Sequence, residues 1–122
     1  MANILIVDDS PTETFAFSNM LKKHGHTVLI AENGADGVAM ARQELPDMVL
    51  MDIVMPGLNG FQATRQLTKG AETAHIPVLI VTTKDQETDR VWGRRQGASG
   101  YLVKPVMEAD LISAIDNVMA GR

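Results

Sequence analysis

Three carboxylates, a hydroxyl and an ammonium each stand directly after a short apolar run. Asp8 and Asp9 follow Ile4–Val7, and Asp52 follows Met48–Met51. Thr82 and Thr83 follow Val78–Val81, and Lys104 with Pro105 follows Tyr101–Val103. Carboxylates gathered in one pocket repel each other, which raises their pKa values unless a cation compensates. Mg²⁺ suits such a set, because it takes oxygen ligands and keeps water and phosphate oxygens beside a few carboxylates. A carboxylate can also attack phosphorus and carry an aspartyl-phosphate. Lys104 would then share with the metal the charge on the equatorial oxygens during transfer. Thr82 would hydrogen-bond a phosphoryl oxygen once it arrived. Each residue alone has a plainer reading: acids before a helix complement its dipole, and an aspartate after a strand is often a turn residue. Their coincidence on successive run ends is what points to chemistry.

The elements that must position them follow from the spacing of apolar residues. Val28–Ile30 joins the four runs above to make five. Continuous rather than alternating apolar runs suit parallel strands buried on both faces. Between them lie helical segments. The first opens on Ser10-Pro11-Thr12-Glu13, a capping box with proline at the first helical position, and continues through Ala16, Phe17, Met20 and Leu21 to His24 and Gly25. The second follows Asn33-Gly34 and carries Val38, Ala41 and Leu45 before Pro46; the third runs from Gly60 through Phe61, Thr64 and Leu67 to Gly70. The fourth spans Asp85 to Gly97, and the last follows Pro105 with Leu111, Ile112, Ile115, Val118 and Met119. Strand–helix repeated five times is an α/β pattern with a parallel sheet. Ligands of such sheets bind outside the carboxyl ends of the strands, where Asp8, Asp9, Asp52, Thr82, Thr83 and Lys104 stand.

Composition bounds the reading. With 122 residues the chain is the size of one domain, and the absence of cysteine excludes disulfides and thiolate metal sites. No apolar run approaches the length of a membrane span, and acids follow the N-terminus at once, unlike a signal peptide. A net charge of −4 argues against non-specific nucleic-acid binding. The expectation is one soluble cytoplasmic domain over 1–122, without membrane insertion.

Four stretches resemble the CheY-like response-regulator receiver family. Ile6-Val7-Asp8-Asp9-Ser10 is similar to its acidic opening, and Asp52-Ile53-Val54-Met55-Pro56-Gly57-Leu58-Asn59-Gly60 to its phosphoacceptor loop. Val81-Thr82-Thr83 resembles the strand bearing the switch hydroxyl, and Gly97-Ala98-Ser99-Gly100-Tyr101-Leu102-Val103-Lys104-Pro105 the closing signature. The resemblance runs from about Ile4 to Val118. It implies a flavodoxin-like (βα)5 three-layer sandwich with a five-stranded parallel sheet in order 2-1-3-4-5. It implies phosphorylation of Asp52 by a histidine kinase, with Mg²⁺ held by Asp9, Asp52, the Val54 carbonyl and, through water, Asp8. Lys104 would pair with the phosphoryl group across a cis Lys104–Pro105 bond, and Thr82 with Tyr101 would form the switch. Output would pass to a protein partner on the face of the fourth helix, fifth strand and fifth helix, where Arg90, Arg94 and Tyr101 stand, or the domain would act as a phosphate sink. With no output domain after Arg122, direct DNA binding is not expected. The only catalysis implied is the domain's own phosphoryl transfer and autodephosphorylation. Within the family the likeness is to single-domain regulators of type IV pilus twitching motility, with chemotaxis the neighbouring possibility.

Departures and rivals complete the reading. Val54 stands where relatives often carry a polar residue, and an apolar side chain cannot orient an attacking water, which suggests slow hydrolysis. The fourth helix, with Asp85, Glu87, Asp89, Arg90, Arg94 and Arg95 around Trp92-Gly93, reads either as a solvated helix with Trp92 filling the core or as a partner face. Met20, Met48, Met51 and Met119 fall at core positions, and His24, His26 and His75 lack metal-ligand spacing. An aspartate-nucleophile phosphohydrolase would want a second acid at position 54. An FMN carrier would want a Ser/Thr/Gly-rich loop where Asp8 and Asp9 stand, and no P-loop sequence occurs.

Overall fold

The computed structural model describes residues 1–121. Strands and helices alternate: β1 (Asn3–Val7), α1 (Pro11–Lys23), β2 (Thr27–Ala31), α2 (Gly34–Glu44), β3 (Met48–Met51), α3 (Gly60–Lys69), β4 (Val78–Thr82), α4 (Glu87–Arg95), β5 (Gly100–Val103) and α5 (Glu108–Ala120). The five strands are parallel in order β2-β1-β3-β4-β5, the architecture that the family resemblance implies.

Side-chain alternation along the strands builds two cores from one sheet. Ile4, Ile6, Met48, Leu50, Leu79 and Val81 meet Phe17 and Leu21 of α1 and Leu111 and Ile115 of α5. Leu5, Val7, Val49, Met51 and Val78 meet Val38 and Ala41 of α2 and Ala63 and Leu67 of α3. Both faces are therefore dry, which is why the central runs are apolar at every position. Full burial of such side chains contributes about 1.5–3 kcal/mol each, so β1, β3 and β4 form a rigid platform behind their carboxyl ends. Among the described residues, no helix is long and apolar enough to cross a membrane.

Several local expectations change in three dimensions. Ser10 caps α1 by accepting from Glu13 N, but its own N–H donates to Asp8 Oδ1 at 2.9 Å. That bond takes the donor a capping box would offer Glu13, so only half of the expected box forms. Leu45 is not on the apolar side of α2: it is the exposed C-cap at φ +48, turning the chain left-handed before Pro46. At α3 a full capping box joins Asn59 and Gln62. Helix α4 starts at Glu87, two residues later than expected, where the Gln86 N–H donates to Asp89 Oδ2 at 3.2 Å.

Trp92 does not fill the core: it is 49% exposed. Gly93 is the buried residue of α4. A Cβ there would stand 2.9 Å from Ile80 Cδ1 and 3.2 Å from Tyr101 Cδ2. The glycine therefore lets α4 approach the sheet, which offsets its cost of about 1 kcal/mol in helix propensity. With β5 beneath it only half-buried, this corner is thinly anchored by apolar contacts. The Lys104–Pro105 peptide is cis, as the family resemblance implies.

Candidate functional site

Sheet register decides which polar residues meet. Val7 lies opposite Met51, so the next residues, Asp8 and Asp52, emerge side by side. The ladder continues one step past the strands: Asp8 N–H donates to Ala31 O at 3.1 Å and Asp52 N–H to Val7 O at 3.0 Å. Thr82 lies opposite Val103, and Lys104 N–H donates to Thr82 O at 2.8 Å. Backbone pairing thus carries the acids, the hydroxyl and the lysine onto one rim.

Asp8, Asp9 and Asp52 each present a carboxylate oxygen, and these atoms lie within 4.8 Å of one another. The Lys104 ammonium donates to Asp8 Oδ2 at 2.8 Å and stands 3.6 Å from Asp52 Oδ2. The Lys104 and Asp52 side chains are only 8% and 9% exposed. Asp9, by contrast, is exposed and forms the open side of the pocket. The other Asp52 oxygen, Oδ1, accepts from Ile53 N–H at 2.7 Å.

Electrostatics follow from that enclosure. Burial pushes the Asp52 carboxyl above its ordinary value; the Lys104 ammonium pulls it down, and the Asp8 charge pushes it up again. The Thr82 hydroxyl and the Ile53 N–H only partly restrain the rise. For Lys104, burial alone would lower the pKa. The Asp8 hydrogen bond and the charges of Asp52, Asp8 and Glu13 outweigh it and hold the ammonium above its ordinary value. One ammonium facing Asp8, Asp9, Asp52 and Glu13 leaves the pocket short of positive charge. The donor set is hard, all oxygen and open on the Asp9 side, so these residues fit Mg²⁺.

The remaining candidates surround this centre. Thr82 is fully buried, and its Oγ1 stands 3.4 Å from the Lys84 N–H. Tyr101 donates its hydroxyl to Lys84 O at 2.8 Å, and the Arg90 guanidinium lies 5.4 Å from the centre of its ring. Thr82 and Tyr101 are therefore bonded to the two ends of one residue. Burial, with the charge of Asp89, pushes the Tyr101 hydroxyl up to about 12. Arg94 is exposed on α4. Val54 is 56% exposed and lines a cleft with Ile53, Met55, Asn59, Phe61 and Lys84 beside the acidic pocket. A further cleft, bounded by Thr68, His75, Ile76 and Ser99, lies at the opposite ends of β4 and β5. The histidines stay apart: His24 Nε2 is 3.0 Å from Glu108 Oε2, and His26 Nδ1 accepts from Ala2 N–H.

Two neighbours of Lys104 were not singled out from sequence. Glu13 Oε1 is 3.9 Å from its ammonium, and the Phe17 ring centre is 5.9 Å away. Glu13 had an assignment in the cap, and Phe17 one in the core. An acid in the first turn after the Asp8-Asp9 pair is the signal that could have exposed Glu13.

Residues 4–116 match the family model described as the response regulator receiver domain. The chain belongs to that family. This receiver domain is 74% identical over 121 residues to Protein PilH of Pseudomonas aeruginosa, covering 99% of this chain and 100% of that one. Its fold is similar to that of the Vibrio cholerae chemotaxis protein CheY4, with a TM-score of 0.91 and 30% identity over 97% of this chain and 98% of that one. It is similar also to the receiver domain of a Pseudomonas aeruginosa sensor histidine kinase, with a TM-score of 0.90 and 28% identity over 98% of each chain. That structure is described with a magnesium ion coordinated in its active site cleft. Neither the phosphohydrolase nor the flavin reading is needed for a receiver domain with this pocket.

Proposed function

We propose that this receiver domain is a phosphorylation switch whose phosphoacceptor is Asp52. The observation that carries the reading is the pairing of an enclosed Asp52 with the Lys104 ammonium at 3.6 Å on a rim of further carboxylates. An Asp52 oxygen attacks the phosphorus of a histidine-borne phosphoryl group. The new P–O bond forms as the P–N bond breaks, and the imidazole leaves with that electron pair. Lys104 exchanges part of its hold on Asp8 for the incoming phosphoryl oxygens. Asp9, Asp52 and the Val54 carbonyl would hold Mg²⁺, with Asp8 acting through water, and the ion would supply charge neutralisation at the transferred group.

The switch passes through Lys84. When the Thr82 hydroxyl turns to a phosphoryl oxygen, the residue whose N–H it faces and whose carbonyl holds Tyr101 is free to shift. Thin anchoring of α4 and β5 lets that shift reach the face carrying Arg90, Arg94 and Tyr101, where a protein partner reads it. Trp92, exposed on the same helix, adds an aromatic anchor of the kind interfaces favour. A phosphate sink is the alternative output, in which loading drains the kinase and no partner is needed. No direct DNA binding belongs to either output. The likeness to PilH supports twitching motility, or a chemosensory system like it, as the setting and the cytoplasm as the place. Val54 offers no hydrogen bond to a hydrolytic water, so the aspartyl-phosphate persists; Val54→Asn should hydrolyse several-fold faster, and an equal rate would remove that part.

The deciding experiment incubates the protein with Mg²⁺ and acetyl phosphate and reads intact mass and Trp92 fluorescence. A single phosphate adduct that needs Mg²⁺ and is absent from Asp52→Ala is expected. Absence of any adduct at short times, with a kinase donor as well, would leave a phosphorylation-independent adaptor.

A further inference from the structure

Glu13 is the charged group at the site that neither metal binding nor phosphoryl acceptance employs. Its backbone N–H is spent on Ser10 Oγ. Its carboxylate is excluded from the reciprocal cap because Asp8 Oδ1 holds the Ser10 N–H. Freed from the cap, it stands at the pocket mouth, 40% exposed, with Oε1 3.9 Å from the Lys104 ammonium. The same ammonium is the cation that a phosphoryl group must reach, and Asp8 already holds it on one side at 2.8 Å.

Resting on the phosphoacceptor reading above, we propose that Glu13 determines donor specificity: it competes with incoming phosphoryl oxygens for Lys104 and disfavours free, small anionic donors. The competition is electrostatic. In loading from acetyl phosphate, an Asp52 oxygen forms a P–O bond as the acyl P–O bond breaks, and acetate leaves with that electron pair. Throughout, a dianionic donor approaches a mouth that already holds the Asp9 and Glu13 charges, and it must displace Glu13 from the ammonium. Glu13 is partly exposed, so the barrier is modest and sensitive to salt. A donor delivered by a docked protein carries the same phosphoryl charge, but docking contacts hold it at high effective concentration, so the same repulsion weighs less on its loading. The helix-end dipole does not account for the placement, since that role needs no approach to Lys104. Lys104 also gains from Glu13, whose charge is among those holding its ammonium protonated.

The test compares loading rates of the wild type, Glu13→Gln and Glu13→Asp at saturating Mg²⁺, with acetyl phosphate at low and at high ionic strength. Glu13→Gln keeps the side-chain length and the backbone bond to Ser10. Removing one partly exposed charge is expected to raise the loading rate roughly two- to fivefold at low salt. That gain should shrink toward unity as salt is raised, and it should be smaller with monoanionic phosphoramidate. Glu13→Asp keeps the charge near the mouth and should stay close to wild type. Thermal unfolding of all three reports whether α1 is intact. Equal or slower loading by Glu13→Gln at low salt, or a gain that salt does not alter, would overturn the proposal. If the wild type itself takes no phosphate, the phosphoacceptor reading fails, and this inference falls with it.

Discussion

Replacing Gly60 by alanine should damage the site more than the change of one methyl suggests. Gly60 opens α3, and its N–H donates to Ile53 O at 3.0 Å. A Cβ at this position would stand 2.7 Å from both the Asp52 carbonyl carbon and Ile53 Cα, and nearer still to the Asp52 oxygen. These obstacles are main chain, not the ends of flexible side chains, so they cannot rotate away. Reaching ordinary contact requires the β3–α3 loop to move by roughly 1 Å, and overpacking of this kind costs about 3 kcal/mol, at the upper end of its usual range. The gain in helix propensity at a first-turn position, under about 1 kcal/mol, does not offset it. For a domain of this size the midpoint of thermal unfolding should fall by roughly 10–15 °C. The moving loop carries Asp52, so loading by acetyl phosphate, normalised to the folded fraction, should drop at least about tenfold, as misplacement of a reacting group by 1 Å can. Gly57→Ala is the control: its φ of +74 makes alanine strained there, but nothing lies within 4 Å. It should cost about 1–2 kcal/mol and leave the normalised loading rate near wild type. Urea unfolding with an unchanged slope and a rate measured well below the midpoint separate the two effects. A Gly60→Ala protein with wild-type midpoint and wild-type loading would refute the steric argument.

Addition of Mg²⁺ should stabilise the wild type by about 2.7 kcal/mol at a hundredfold excess over its Kd, and chelation should reverse it. Asp9→Ala should lose that response in a melting assay while unfolding near the midpoint of the metal-free wild type. Asp52 has a raised pKa in the folded state, so between its unfolded value and that raised value the native protein binds more protons. Stability from this group is therefore greatest at low pH and is lost as pH rises through the folded value. Asp52→Asn should consequently be a few degrees more stable than wild type at pH 7 without metal, with the gap closing toward pH 4; a gap that widens on acidification would contradict this. His26 behaves in the opposite sense. Burial and the neighbouring N-terminal ammonium lower its pKa from 6.5, and its Nδ1 accepts a hydrogen bond from Ala2. Its contribution is present above pH 6.5 and falls as pH drops below it. Urea titrations from pH 7.5 to 5 should show that decline in the wild type and a flatter profile in His26→Gln.

The order of elements was readable because β1, β3 and β4 carry continuous apolar runs, so burial on both faces writes itself into the sequence with sharp polar ends. The acids, Thr82 and Lys104 were readable for the same reason: a residue just past a buried strand is where the chain first meets solvent. Ser10 and Pro11 announced the start of α1 through local backbone chemistry. Positions decided by partners distant in sequence were less visible. Trp92 could be read either as core or as part of a partner face, and it is exposed because Gly93, one residue on, faces the sheet. Leu45 fits the helical spacing, yet it turns left-handed because Pro46 cannot continue the helix.

What the sequence determined by itself was the alternation of elements and the kinds of side chain at their carboxyl ends, since both arise from hydrophobic burial and local backbone preference. Only the tertiary structure decided how those side chains share their charges. The pairing of β1 with β3 set Asp8 beside Asp52, and that pairing joins residues 44 positions apart. The position of Lys104 between Asp8, Asp52 and Glu13 required the last strand to dock against β4. Glu13 left its expected cap because the Asp8 carboxylate reached the Ser10 N–H first. A hydrogen bond or an ion pair is a choice among competing partners, and only the folded chain brings all the competitors within a few ångströms.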